Sequence, residues 1–247
     1  MKKRRLLLTC LAVVVAFSAV DGLVSLIGRD VALGQPLDLD TIDHVRIEGG
    51  ASRLILTTQS GQPYDASLTG HREGWGAMWY SGWYGDDCTG RGRMHREGDT
   101  LVVETDPAFA SRFFDWSDCT VTLRANLKPE TAVTIRQQAS KMTLNGDFSA
   151  VDVTADAGDF SLRGHADTLD LSGAALRVRA FYESVRQNET LMLTGSMMDI
   201  GLHFLTPTPV SVLTEATASY IDNTLGNTAG ARPQITIKGQ MVRARID

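Results

Sequence analysis

Met142-Thr-Leu144-Asn-Gly146 followed by Val151-Asp-Val153 returns eighteen residues later as Phe160-Ser-Leu162-Arg-Gly164 followed by Leu169-Asp-Leu171. The same offset taken backwards from Val151-Asp-Val153 lands on Val133-Thr-Ile135. Leu176-Arg-Val178 and Leu191-Met-Leu193-Thr-Gly195 continue the echo at looser spacing. A period near twenty, in which each unit carries apolar-polar-apolar triplets and a Gly or Asn-Gly corner, predicts a β-solenoid. Alternate residues then point inward and stack on their counterparts in the next coil, and glycine supplies the positive-φ corner between faces. Asp152 and Asp170 fall at equivalent outward positions and read as solubility and edge protection.

Away from the repeat, the segments remain short and alternating. Val45-Arg46-Ile47, Leu54-Ile55-Leu56, Leu101-Val102-Val103, Val121-Thr122-Leu123, Ile235-Thr236-Ile237 and Val242-Arg243-Ala244-Arg245-Ile246 predict strands of three to six residues. Helical turns are expected only around Phe181 to Gln187 and Pro107 to Phe113. The reading is therefore all-β, one β-solenoid domain over 35–247. A two-sheet β-sandwich is the alternative, although a sandwich gives no reason for an eighteen-residue echo. A transmembrane barrel needs strands of about nine to eleven residues, longer than these.

Residues 1–34 precede that domain as a targeting segment and linker. Met1-Lys-Lys-Arg-Arg5 leads into Leu6 to Val20 without a charge, the pattern of an export signal. Apolar residues resume to Ile27, so an uncleaved segment is long enough for a membrane-anchoring helix with the remainder outside the cytoplasm. A cleaved signal peptide is the other reading, with Ala16 and Ser18, or later Ala32 and Gly34, at the −3 and −1 positions, and a lipid on Cys10 is a further alternative. Periplasmic and inner-membrane-anchored locations both stay open, and an uncleaved segment would make the membrane itself a partner.

The charge count supports that division. The chain has 24 basic and 29 acidic residues, of which 19 and 27 lie beyond the targeting segment, so the folded part is more acidic than the total of −5 indicates. Such a domain is a poor partner for nucleic acid or an anionic membrane surface. Cys88 and Cys119 are an even pair in an exported chain and predict a disulfide; neither has a Cys or His neighbour at ligand spacing.

The Val45–Leu56 and Gly98–Glu104 segments, Cys119-Thr-Val-Thr-Leu-Arg-Ala-Asn-Leu-Lys-Pro129, and the repeated Leu-x-Gly and Val-Asp-Val units together resemble the DUF4097-like, or autotransporter-adhesin "head GIN", domains of bacterial envelope proteins. The resemblance covers about residues 42–200. It implies a β-solenoid at the cell envelope and carries no functional residues across. The loop from His71 to Gly98 and the irregular tail after Pro207 depart from the pattern.

Within that loop Trp75, Trp79, Tyr80, Trp83 and Tyr84 place five of the chain's seventeen aromatics in ten residues, followed by Asp86 and Asp87. Rings on a glycine-rich backbone can stack on sugars while carboxylates bind hydroxyls, or can receive a protein partner. They can equally cover the end of the coil, held near Phe113, Phe114 and Trp116 by the disulfide. His44, His71, His95, His165 and His203 are scattered, and neither a zinc motif nor a serine-nucleophile motif occurs. Arg91-Gly-Arg93-Met-His-Arg96 reads as neutralising Asp86, Asp87 and Glu97. The expectation is a non-enzymatic envelope protein without cofactor or metal, in a scaffold, adhesion or binding role toward an envelope glycan or protein. The alternative is a glycan-active enzyme that uses Asp86, Asp87, Asp115 or Asp118 as acid and base.

Overall fold

The computed structural model describes residues 37–73, 88, 91–105 and 118–247. The targeting segment, the aromatic loop with Asp86 and Asp87, and the expected helical turn at 107–113 lie outside the described residues. Ten strands form one sheet: β1 (Leu37–Asp38), β2 (His44–Thr57), β3 (Asp65–Glu73), β4 (Gly92–Glu97), β5 (Thr100–Thr105), β6 (Asp118–Asn126), β7 (Thr131–Tyr182), β8 (Thr190–Phe204), β9 (Ser211–Asn223) and β10 (Gln234–Ile246). The all-β expectation holds, in one sheet rather than the sandwich's two.

Strand lengths are the first correction. β2 has 14 residues and β7 has 52, because the chain bends without leaving the hydrogen-bonded ladder. The bends are visible in which side chains turn inward. In β2 the buried residues are Val45 and Ile47 before Gly49-Gly50, then Leu54 and Leu56 after it, so the inward parity changes from odd to even. The same switch separates Leu191 and Leu193 from Met198, Ile200 and Leu202, and Ile235 and Ile237 from Val242 and Ala244. Each rung is thus two arms meeting at a corner, with the alternation of a strand preserved along each arm.

Rungs stack parallel and in register. Val45 pairs with Leu101 on one side and Val133 on the other, Leu169 with Leu191, Leu191 with Ile235, and Ile235 with Val212. Inside β7 the eighteen-residue echo is spatial: Thr154 Oγ1 and Ser172 Oγ are 3.0 Å apart. The result is continuous columns of buried side chains, such as Val45, Val133, Val151, Leu169, Leu191 and Ile235, all at most 1% exposed. Burying each such side chain contributes roughly 1.5–3 kcal/mol against leaving it in water.

The repeated Asn-Gly and Arg-Gly units make a second bend. Gly146 and Gly164 have φ of +124° and +129°, and a Cβ on Gly164 would lie 2.2 Å from the Gly146 carbonyl oxygen. Only glycine tolerates that backbone at that approach.

The two ends of the stack differ. Beyond β2, β5 carries antiparallel β4, while β6 carries antiparallel β3 and then β1. At the other end the chain skips a rung: β9 is outermost and β10 returns between β8 and β9. The tail after Pro207, expected to be irregular, is therefore mostly strand. The helical turn expected at Phe181 to Gln187 is absent. Phe181 and Tyr182 finish β7, held by ring stacking on His203 and Phe204 at 4.7 and 5.2 Å, and residues 183–187 are irregular.

The outward aspartates also differ from expectation. Asp152 is clamped by Arg136, at 2.8 Å to Nη1 and 2.5 Å to Nη2. Asp170, one rung on, has no such partner among the described residues; partial burial and the Asp152 charge push its carboxyl above the usual range.

Candidate binding face

A groove runs along the stack on the outer side of the corner. Its floor is one residue per rung: Ala51 pairs in register with Ala139, the eighteen-residue step continues to Ala157 and Ala175, and in-register pairing leads to Met197, Met241 and Ala218. Small side chains leave the trough open, and two thioethers finish it, with Met197 and Met241 half exposed at 50% and 55%. Seven rungs at the inter-strand spacing give a length of roughly 29 Å, and the volume is about 1160 Å³.

The rim is the column two positions further along each rung. It reads Arg53, Lys141, Asp159, Arg177, Asp199, Arg243 and Tyr220, four cations against two anions on an acidic domain. Asp199 is engaged by Arg179 at 2.6 Å and Arg177 at 3.8 Å. The hydrogen bond from Arg179 is the main reason its carboxyl lies below the usual range. Arg53 and Lys141 are register partners, and neither has an ion pair or side-chain hydrogen bond among the described residues. Like charges directly opposite on adjacent strands repel, so this end of the rim is electrostatically strained.

Cys119 and Thr120 line the groove at the same end. The predicted disulfide is formed: Cys88 and Cys119 are joined, with Cα atoms 6.2 Å apart. Cys88 is buried and its N–H donates to the Gly70 carbonyl, so the bridge fastens the chain emerging from the aromatic segment to β6. The ligand candidates Trp75, Trp79, Tyr80, Trp83, Tyr84, Asp86 and Asp87 lie outside the described residues.

The Arg91–Arg96 cluster meets Glu97 through His95, as expected from the sequence, while Asp86 and Asp87 lie outside the described residues. Glu97 receives Arg46 at 2.9 Å and His95 at 3.1 Å, and the His95 bond is the main reason its carboxyl lies low. Arg96 instead donates to the Gly98 carbonyl at 2.7 Å.

One polar site escaped the sequence. His165 and Glu189 are fully buried; the imidazole meets Asp167 Oδ1 at 2.8 Å and the Ser184 carbonyl at 3.1 Å, with Glu189 Oε1 at 3.7 Å. Glu189 Oε1 also accepts the Arg186 backbone N–H. Burial opposes charge on Asp167, but hydrogen bonding to His165 and the charges of His165 and Arg186 outweigh it and hold the carboxyl low. Tyr182 Oη and Glu189 Oε2 are buried without a hydrogen-bond partner among the described residues, and desolvation together with the Glu189 and Asp167 carboxylates raises the phenol. None of these residues lines the groove, and a lone histidine in the sequence gives no sign of the cluster. Among the described residues no group of His, Cys, Asp and Glu is arranged to hold a metal ion, and no helix is long and apolar enough to cross a membrane.

No known protein-family model matches this sequence, and no curated protein matches it. Among solved structures, the chain is similar to one from Clostridium sporogenes named a "putative cell adhesion protein". The two share 9% identity over 86% of this chain and 96% of the other, with a TM-score of 0.49.

Proposed function

We propose that this chain is an exported β-solenoid of the cell envelope, periplasmic or membrane-tethered, that works by binding rather than by catalysis. The groove carries this reading: a continuous apolar trough with a basic rim, built from outward residues of seven successive rungs. A face that repeats rung by rung suits an elongated ligand more than a reacting centre, which needs unlike groups converging on one point. The Cys88–Cys119 bridge supports an oxidising compartment, in accord with the basic and then apolar start of the chain. In-register columns of buried aliphatic side chains support the solenoid. An adhesion or scaffold role is one use of such a face, and the aromatic segment that precedes Cys88 in the sequence is a second candidate contact region for a glycan or protein partner.

The test is a panel of purified envelope glycans, lipids and proteins titrated against the full chain, with hydrolysis of each glycan followed in parallel. Saturable binding without turnover is expected; turnover of any glycan overturns the reading. Trp79→Ala with Trp83→Ala separates platform from cover. Weaker binding at an unchanged melting temperature assigns the rings to a ligand, and a lowered melting temperature assigns them to the fold.

A further inference from the structure

Three properties of the groove narrow what it binds. Its floor column is alanine and methionine and carries no polar side chain, although the neighbouring lining positions include the hydroxyls of Ser52, Ser140 and Ser219. The backbone amides beneath it are spent in the ladder between rungs, and the serine hydroxyl of Ser52 turns inward to Gln137 Oε1 at 2.8 Å. A peptide laid across the rungs would leave its own amides unsatisfied, and among the described residues a glycan would find one ring, Tyr220, at the far end. An alkyl chain asks for neither.

The second property is the Arg53–Lys141 pair, two register-matched cations with no acidic partner among the described residues. An anionic group between them would remove their mutual repulsion and form charge-assisted hydrogen bonds. The third is Asp159, half-buried on the rung after Lys141. A carboxylate there disfavours continued negative charge along the groove, so the complementary ligand has one anionic head and not a polyanionic chain.

We propose that the groove binds a single long-chain carboxylate, its head between Arg53 and Lys141 and its alkyl chain along Ala157, Ala175, Met197 and Met241. Small alanines leave a smooth trough beside the head, and the flexible thioethers adapt to the end of the chain. This inference rests on the binding-protein reading and gives it a ligand class.

The experiment is isothermal titration of the delipidated full chain with palmitate below its micelle concentration, beside octanoate, hexadecanol and phospholipid vesicles. One palmitate per chain is expected, with affinity falling up to about fourfold for each methylene removed and hexadecanol binding at least tenfold more weakly. Arg53→Glu with Lys141→Glu is expected to weaken palmitate at least tenfold, and Ala157→Trp, on an exposed floor position, to block the chain. Thermal melts of both variants, unchanged from the parent, separate loss of the site from loss of the fold. Equal affinity for palmitate and hexadecanol, binding to vesicles alone, or indifference to Ala157→Trp overturns the proposal. If palmitate fails while a glycan or protein of the panel binds, the ligand class is wrong and the binding reading stands; if the whole panel fails, both fall.

Discussion

The corner beneath the groove makes a sharp demand on side-chain size, and Gly173→Ala tests it. Gly173 begins the bend of the third β7 rung, where a Cβ would lie 1.9 Å from the Ala155 carbonyl oxygen and 3.0 Å from Leu176 Cδ2. The carbonyl is backbone within the ladder, so the rungs themselves must separate by more than an ångström. Overpacking of this kind costs about 1–3 kcal/mol, and the stiffer unfolded chain returns only about 0.4–1 kcal/mol. A net loss of about 1.3 kcal/mol lowers the melting temperature of a chain this size by roughly 3–5 °C. Gly201→Ala is the control on the next rung: its Cβ would meet Arg179 Cδ at 3.2 Å, the stem of a flexible exposed side chain that can move aside. That variant should lie within about 0.5 kcal/mol of the parent. Urea denaturation of the three proteins, monitored by far-ultraviolet circular dichroism, reads the difference as a shift in midpoint at constant slope. If Gly173→Ala is as stable as Gly201→Ala, close stacking at the corner is not what selects glycine there.

Three further outcomes follow from particular contacts. Cys119→Ser removes the bridge across a 31-residue separation and should lose about 3–4 kcal/mol in the chain-entropy picture, measurable as a lower urea midpoint that the parent reproduces in reductant. Tyr182→Phe deletes a buried hydroxyl that has no hydrogen-bond partner among the described residues while keeping the ring stacked on Phe204, so stability should hold or rise by up to about 1 kcal/mol; a loss above that would mean the hydroxyl is bonded after all. Asp170 has a raised folded pKa, so its ionisation opposes folding above the unfolded value and is without effect once both states are protonated. Asp170→Asn should therefore stabilise by about 0.5 kcal/mol at pH 7, with the gain vanishing as pH falls below about 3.9; an equal gain at pH 3 would count against the Asp152 repulsion.

The columns of the core were legible because inward residues are aliphatic and the offset is constant over Val133, Val151 and Leu169. Strand length was not, since Gly and Asn-Gly read as breaks while here they bend a chain whose ladder continues. The groove left a trace: applying the same offset to Ala139, Ala157 and Ala175 finds three small outward residues in line. Its significance lay in the rim, whose members come from separate rungs and acquire a common meaning only through register. The His165 cluster left none, because Ser184 and Glu189 approach from the segment between β7 and β8, whose path no periodicity encodes. The rung order of the tail was equally hidden, because β10 aligns with β8 at an offset of 44 and with β9 at 23, neither matching the repeat.

That rung order has a physical logic that bears on where a ligand can bind. β10 presents Ile235, Ile237, Val242, Ala244 and Ile246 inward, all at most 4% exposed, and would make an adhesive edge if it ended the stack. β9 ends it instead, with Thr214, Ser219 and Asn223 at inward positions matching Ile237, Val242 and Ile246, and with Val212 and Ile221 only partly buried opposite Ile235 and Ala244. Past it, the Asn227 side chain accepts the Val212 N–H at 3.0 Å and donates to the Val212 carbonyl at 2.9 Å, supplying the contacts of one further rung without a strand. A last rung with fewer apolar inward residues, closed by a side-chain amide, is how a stacked sheet limits edge-to-edge growth. With the apolar strand enclosed and that end blunted, extended contacts on the described surface are left to the flank, where the rungs repeat the same outward residues and the groove runs.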